Sequence, residues 1–330
     1  MDILSQVLDT VHVSGSRGFR GELRAPWGLS VESSRDGAPF YVVSSGSIYL
    51  KTDALETPRL VASGDLVMLP NGDAHAISDL PGSPSRPLHE LFGRETPDEP
   101  GGAPRDSVLR LGGEGPTTEI FTGTFHFDDD PTASILRSLG NLIHVRAEDE
   151  SSPDFTSILG LSCRERRNPT PGSRFVVDEL MKLLFIQALR SALTNPHRGE
   201  KSCTHNPFAL MFETRMSRVA EAIHLHLDRT WKVEELAEIA AMSRTSFSLR
   251  FAELTGLSPL AYLTRWRMIK AAQLLRGTSA TLSDVASQVG YGSETAFSIA
   301  FKREMGAAPG RYRTRQSGQE NDRAGAAAPR

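Results

Sequence analysis

The sequence predicts an α+β multidomain chain: an N-terminal β-barrel with following helices, then a C-terminal all-α domain of two helix-turn-helix units joined by a long helix. Three observations carry this. Short β-rich segments separated by Gly, Pro and Asp fill residues 1–131, apolar residues at helical spacing take over across 132–194, and a degenerate repeat near the C-terminus echoes residues 231–262 in residues 280–312. A length of 330 residues allows two domains, each with its own core.

Strands are expected over 40–50, 66–69, 108–111 and 119–127, as in a small antiparallel barrel or double-sheet fold. Between them, 79–106 is crowded with Pro, Gly and charge and is expected to be a long mobile loop. In 132–194 the apolar stripe of Phe175, Val176, Leu180, Leu183, Leu184, Ile186, Gln187, Leu189 and Leu193 exceeds what one barrel face needs, so an amphipathic helix here either caps the barrel or pairs with a second protomer. Residues 195–207, with Asn-Pro twice, read as an interdomain linker before a domain at 208–313, and the Gly-, Ala- and charge-rich 314–330 as a disordered tail.

In the first copy of the repeat, Val233 to Ala240 leads into Ser243 to Phe251 and then to Gly256 and Pro259. In the second, Leu282 to Val289 leads through Gly290-Tyr291-Gly292 into Ser293 to Phe301 and then to Gly306 and Pro309. Each copy reads as helix, tight turn and second helix, in units at about 231–254 and 281–305. Ser243 and Ser293 are candidate N-caps, and Thr281 with Asp284 forms a candidate capping box, whereas Lys232 is a poor cap. Phe247 and Phe251 should face inward, leaving small polar or basic residues for the major groove.

On these residues, and most specifically on Gly290-Tyr291, Phe297-Ser298 and Phe301-Lys302-Arg303, residues 216–313 resemble the AraC/XylS family of transcription regulators. The resemblance implies a helix over 259–276, about 26 Å long at ~1.5 Å per residue, that sets two recognition helices in successive major grooves. It also implies base contacts from Arg244, Thr245, Ser248 and Leu249 in the first unit and from Glu294, Thr295, Ser298 and Ile299 in the second. Many relatives place arginine where Leu249 and Ile299 stand. Leucine and isoleucine offer only apolar contact, for instance to a thymine methyl, so either recognition is less directed to guanine or neighbours such as Arg244 and Arg250 carry it; the plainer alternative is that both simply pack. Lys302, Arg303, Arg311, Arg265 and Arg267 are expected phosphate contacts. Residues 209–313 hold 14 Lys and Arg against 10 Asp and Glu, a net of +4 in a chain of −3, so the positive part is the part expected to bind DNA.

In the N-terminal half, Gly64, five residues, Pro70, one, Gly72, two and His75 match the second sequence motif of cupins. With Ala25-Pro26-Trp27-Gly28 and the 40–46 segment, this resembles the cupin-type sensor that precedes the AraC-type domain in one branch of the family. A metal-binding cupin would add two histidines and a glutamate from its first motif, because one imidazole cannot hold a divalent ion in defined geometry. Those ligands are missing, and although His126 and His12 could in principle join His75 in space, no metal or other cofactor is expected. The resemblance implies instead a pocket for a small organic effector, with Trp27, Tyr41, Tyr49, Met68 and His75 as its candidate lining.

The reading that follows is a sequence-specific DNA-binding transcriptional regulator, effector-responsive and an activator. Its partners are double-stranded promoter DNA, a small organic effector, RNA polymerase and a second copy of the chain in a homodimer. The alternatives are a ligand-independent dimeric regulator with a scaffold barrel, and a metal-dependent cupin enzyme, against which the incomplete ligand set argues. No run approaches ~20 apolar residues and the start lacks a signal-peptide layout, so a cytoplasmic protein without a membrane partner is expected. Cys163 and Cys203, forty residues apart, lack partners at metal-ligand spacing, and a disulfide switch between them is not favoured.

Overall fold

A computed structural model describes residues 13–34, 37–91, 108–127, 140–148, 153–194, 210–211 and 213–314. Two compact units divide these residues, one containing the strands and the helices that directly follow them, the other all α-helical.

The first unit is a pair of sheets rather than one closed barrel. β1 (Val13–Arg24), β3 (Gly37–Ser45), β6 (Leu66–Met68), β9 (Val108–Gly112), β10 (Thr117–Phe127) and β11 (Ile143–Val145) form a six-stranded sheet in the order β11-β6-β3-β10-β1-β9. β2 (Gly28–Val31), β4 (Ser47–Thr52), β5 (Arg59–Ala62), β7 (His75–Ser78) and β8 (Arg86–Pro87) form the other, in the order β5-β4-β7-β2-β8. Pairing is antiparallel except between β1 and β9 and between β2 and β8. The inner faces share one core, to which the first sheet sends Phe19, Leu23, Tyr41, Val43, Val67 and Ile120 and the second Leu29, Ile48, Leu50, Val61 and Ile77. Strand alternation puts Phe40, Phe121 and Phe125 on the outer face of the six-stranded sheet. There Phe40 stacks on Phe125 at 4.4 Å between ring centroids, and Phe125 meets Phe185 of a covering helix at 4.9 Å.

That helix is α3 (Ser173–Thr194), which follows the one-turn α1 (Leu88–Leu91) and α2 (Pro153–Arg167). Its apolar stripe serves two faces. Leu180, Leu184 and Leu189 are buried with Met181 and Phe185, whereas Phe175, at 76% exposure, Val176 and Leu183 point to solvent. Leu193 lies outside the residues whose side chains are described.

Several expectations change here. The single stretch 40–50 is two strands, β3 and β4, separated by the turn at Gly46. The 79–106 loop is ordered as far as Leu91, through β8 and α1, and 92–107 lie outside the described residues. Inside the segment read as helical, Ile143–Val145 forms β11, because its alternating buried pattern completes the edge of a sheet next to β6. The linker 195–207, all of the tail beyond Thr314, His12 and Cys203 also fall outside the described residues, as does the side chain of His126. Cys163 is half-buried on α2.

The helical unit comprises α4 (Thr214–Leu225), α5 (Val233–Ile239), α6 (Arg244–Thr255), α7 (Pro259–Gly277), α8 (Leu282–Gln288) and α9 (Glu294–Met305). The helix starts follow local chemistry. Ser243 Oγ accepts the Ser246 N–H at 3.2 Å and Ser293 Oγ the Ala296 N–H at 3.2 Å. Thr281 and Asp284 form the full reciprocal box. Lys232 has no acceptor to offer, and Glu235 supplies the other half alone, accepting the Lys232 N–H at 3.1 Å. Ser258 caps α7, with Pro259 in its first turn.

Candidate nucleic-acid interface and sensor interior

The second helices of the two repeats, α6 and α9, are built alike. Phe247 and Phe251 on α6, and Phe297 and Phe301 on α9, are fully buried, each pair 5.6 Å apart. This fixes each helix's rotation and leaves the opposite face outward. Arg244, Thr245, Leu249 and Arg250 are exposed on α6 and Glu294, Thr295, Ile299, Lys302 and Arg303 on α9, with Ser248 and Ser298 half-buried in matching places. Leu249 is 63% exposed and Ile299 66%, so neither packs within its own unit.

The charged neighbours are ion-paired. Arg244 meets Glu234 at 2.9 Å, Arg250 meets Glu213 at 2.9 Å and Glu253 at 3.2 Å, and Arg303 meets Glu304 at 3.1 Å. Exposed pairs of this kind contribute only about 0–1 kcal/mol, so a phosphate can take over from the carboxylate at little cost.

Two of the expected phosphate contacts have another role or setting. The Arg267 guanidinium donates to the Leu227 carbonyl at 2.6 Å, the Arg229 carbonyl at 2.9 Å and the Gly290 carbonyl at 3.4 Å. It thereby ties the loop before α5 in the first repeat to the turn of the second. Arg265 is half-buried beside Glu304, and burial lowers its pKa despite that carboxylate. Lys302 and Arg311 are exposed. Gly290 itself has φ +77°, and a Cβ there would stand 2.3 Å from the Asp228 carbonyl oxygen and 2.6 Å from Arg267 Nη2.

Between α4, ahead of the first repeat, and α7 lies a buried group that motif reading passed over. His224 on α4 bonds through Nε2 to the Tyr262 hydroxyl at 3.0 Å and lies edge-on to Trp266 at 4.4 Å. Burial alone pulls its pKa down to about 3. The signal was available, since His224 is the one polar residue in the run Ala222-Ile223-His224-Leu225.

Within the sheet unit, the five candidate lining residues do not converge. Trp27 and Tyr41 belong to the inner core, and Tyr41 bonds His75 through its hydroxyl at 2.6 Å to Nε2. Met68 pairs in register with Phe40 while Val67 pairs with Tyr41, so Met68 is on the outer face of its sheet. Tyr49 likewise alternates with the inward Ile48 and Leu50 and faces away from the shared core. A one-residue offset along a strand reverses the face, and spacing alone did not resolve it.

His75 is held at both nitrogens. Nδ1 lies 2.7 Å from the Asp73 carbonyl, which can only accept, so Nδ1 carries the proton and Nε2 accepts from Tyr41. Burial lowers the His75 pKa and raises that of Tyr41, keeping both neutral. With both nitrogens engaged, the imidazole offers no lone pair to a metal, and no three His, Cys, Asp or Glu side chains converge among the described residues. Replacing Tyr41 with phenylalanine is expected to leave Nε2 buried without a donor and to cost about 1–3 kcal/mol. A thermal melt of the intact protein, compared with a Tyr49→Phe control, reads this directly.

The Trp27 indole N–H, also buried, has no hydrogen-bond partner among the described residues. In the cupin motif, Gly72 has φ +64° and its Cβ position would lie 1.8 Å from the Ser34 carbonyl oxygen, while Asp65 accepts from the Ala62 N–H, the Ala147 N–H and His144 Nε2 at 3.1, 2.9 and 2.9 Å. Burial would raise the Asp65 pKa, but the hydrogen bonds from His144, Ala147 and Ala62 hold it below its ordinary value. The motif thus serves mainly as a turn and a latch for β11.

Sequence comparison agrees with both halves. A cupin family profile matches residues 2–194 and a helix-turn-helix domain profile residues 236–315. The chain is similar to the HTH-type transcriptional regulator AlkR of Acinetobacter baylyi, 29% identical over 95% of this chain and 99% of AlkR. It is also similar to the HTH-type transcriptional regulator MtrA of Neisseria gonorrhoeae, 28% identical over 97% of this chain and all of MtrA. Among solved structures, the DNA-binding domain of AdpA in complex with a target DNA is 34% identical over 32% of this chain and 96% of that chain, with a TM-score of 0.31.

Proposed function

We propose a function that starts from family membership: the chain belongs to the AraC-type transcriptional regulators with an N-terminal cupin domain, and it acts by gripping a promoter through α6 and α9 in successive major grooves. The observation that carries this reading is the matched outward face of the two helices, the same positions exposed in both copies over the same buried phenylalanine pair. Arg244, Thr245, Ser248, Leu249 and Arg250 of α6 and Glu294, Thr295, Ser298 and Ile299 of α9 meet base edges, and Lys302, Arg303 and Arg311 meet phosphates.

The cupin unit serves as a sensor rather than an enzyme. The reading is supported by the inner-face Tyr41 hydroxyl, whose oxygen can still accept, and by the buried Trp27 indole N–H, without a hydrogen-bond partner among the described residues, which give a small organic effector polar anchors in an apolar interior. Occupancy changes how the unit meets its partners, because the effector binds the alternative states with unequal affinity. The exposed Phe175, Val176 and Leu183 of α3 supply a surface for a second protomer. The protein works in the cytoplasm as an effector-responsive activator that recruits RNA polymerase.

Selection of a random duplex pool with the full-length protein tests the reading, repeated with an Arg244→Ala, Glu294→Ala double variant. An enriched site with two blocks about one helical turn apart, changed or lost in the variant, is the expected result. Failure to enrich any site, with and without cell metabolite extract, would sink it.

A further inference from the structure

We propose that Leu249 and Ile299 are specificity-determining residues that read thymine 5-methyl groups, so that the operator carries a methyl-dependent thymine in each of its two blocks. This rests on the reading of α6 and α9 as recognition helices. Each helix carries the same pair four residues apart, Thr245 with Leu249 and Thr295 with Ile299, and residues at that spacing lie one above the other on one helix face. All four are exposed, and neither Leu249 nor Ile299 packs within its unit.

Within the two stripes no side chain competes for this role. A bidentate purine contact needs Arg, Lys, Asn or Gln, and the stripes Thr245, Ser248, Leu249 and Thr295, Ser298, Ile299 contain none. An apolar side chain pushed against polar base edges strips water from them without giving a hydrogen bond back, which is unfavourable. The one apolar group on a major-groove base edge is the thymine methyl, and a threonine methyl suits the same surface. Two apolar tips at equivalent repeat positions therefore favour thymine and penalise cytosine and guanine in both blocks.

The test uses the full-length chain and the site that it selects from a random duplex pool. Each thymine of that site is replaced singly by deoxyuridine, which deletes the methyl and leaves pairing and hydrogen-bonding groups intact. Affinity is expected to fall about fourfold at one thymine in each block, the factor for about one buried methyl group. Leu249→Ala is expected to abolish the uracil effect in one block only, and Ile299→Ala in the other; both positions are exposed, so the fold tolerates the change. A selected site that binds equally well with uracil throughout, or a uracil effect that survives in both variants, would overturn the inference while leaving DNA binding intact. A pool from which nothing is enriched would overturn the DNA reading and this inference with it.

Discussion

Replacing Gly290 with alanine is expected to destabilise the helical unit by about 3 kcal/mol or more and to lower its melting temperature by about 12 °C or more. The cost has two parts. A residue with a Cβ at φ +77° is strained by about 1–2 kcal/mol. In addition, the new methyl group would sit 2.3 Å from the Asp228 carbonyl oxygen, a backbone atom fixed by the Arg267 clamp on the adjoining Leu227 and Arg229 carbonyls. The second repeat's turn must therefore back away from the first repeat's loop, and the Arg267 bond to the Gly290 carbonyl goes with it. Sequence-specific DNA binding is expected to weaken more than stability alone accounts for, because the two recognition helices lose their common frame. Gly292→Ala, two residues on, is the control: nothing lies within 4 Å of its Cβ position, and it should melt like the parent. Equal melting of the two variants would show that the turn does not bear on the first repeat.

This clamp also marks what the sequence could and could not reveal. The repeat was legible because helical spacing, the Ser243 and Ser293 caps and the paired phenylalanines are local signals that recur in register. Arg267 was not, since a basic residue on a helix near DNA looks like a phosphate ligand until the carbonyls facing it are known, and those come from residues 38 and 40 positions before it and 23 after. The sheet unit tells the same story. Among its longer strands β3, β4 and β10 were visible from β-rich composition, but the 12-residue β1 was missed, and β2, β5, β7 and β8, at two to four residues each, owe their existence to neighbours paired across the sheet. Tyr49 and Met68 were assigned to the interior on residue type, and the register, which sequence does not display, puts both outside. Tyr41 and His75, in contrast, share the inner face and bond one another through a neutral hydrogen bond that the motif spacing did not display.

Acidification from pH 7 to pH 5 is expected to remove about 2 kcal/mol from the stability of the helical unit through His224 alone. The unfolded imidazole takes its proton near pH 6.5, whereas burial pulls the native pKa down to about 3. Above pH 6.5 both states are neutral and the group makes no difference. Between pH 6.5 and about 3 the unfolded chain holds a proton that the native chain excludes, so stability falls by about 1.4 kcal/mol for each pH unit. Below about pH 3 both states are protonated and the loss levels off. Burial is the cause of the lowered pKa, in a setting that includes the Tyr262 hydroxyl, itself kept neutral by burial, and the edge of Trp266. Urea unfolding followed by tryptophan fluorescence measures the effect in a Trp27→Phe background, where the two remaining tryptophans, Trp231 and Trp266, both report on the helical unit. His224→Phe keeps an aromatic ring in place and removes the titration; it should be less stable at pH 7, having lost the bond to Tyr262, yet show a flatter dependence between pH 7 and pH 5. Parallel pH profiles for the two proteins would mean that His224 takes up its proton in the native state near pH 6.5, as it does in the unfolded chain, its burial being relieved by an opening of α4 away from α7.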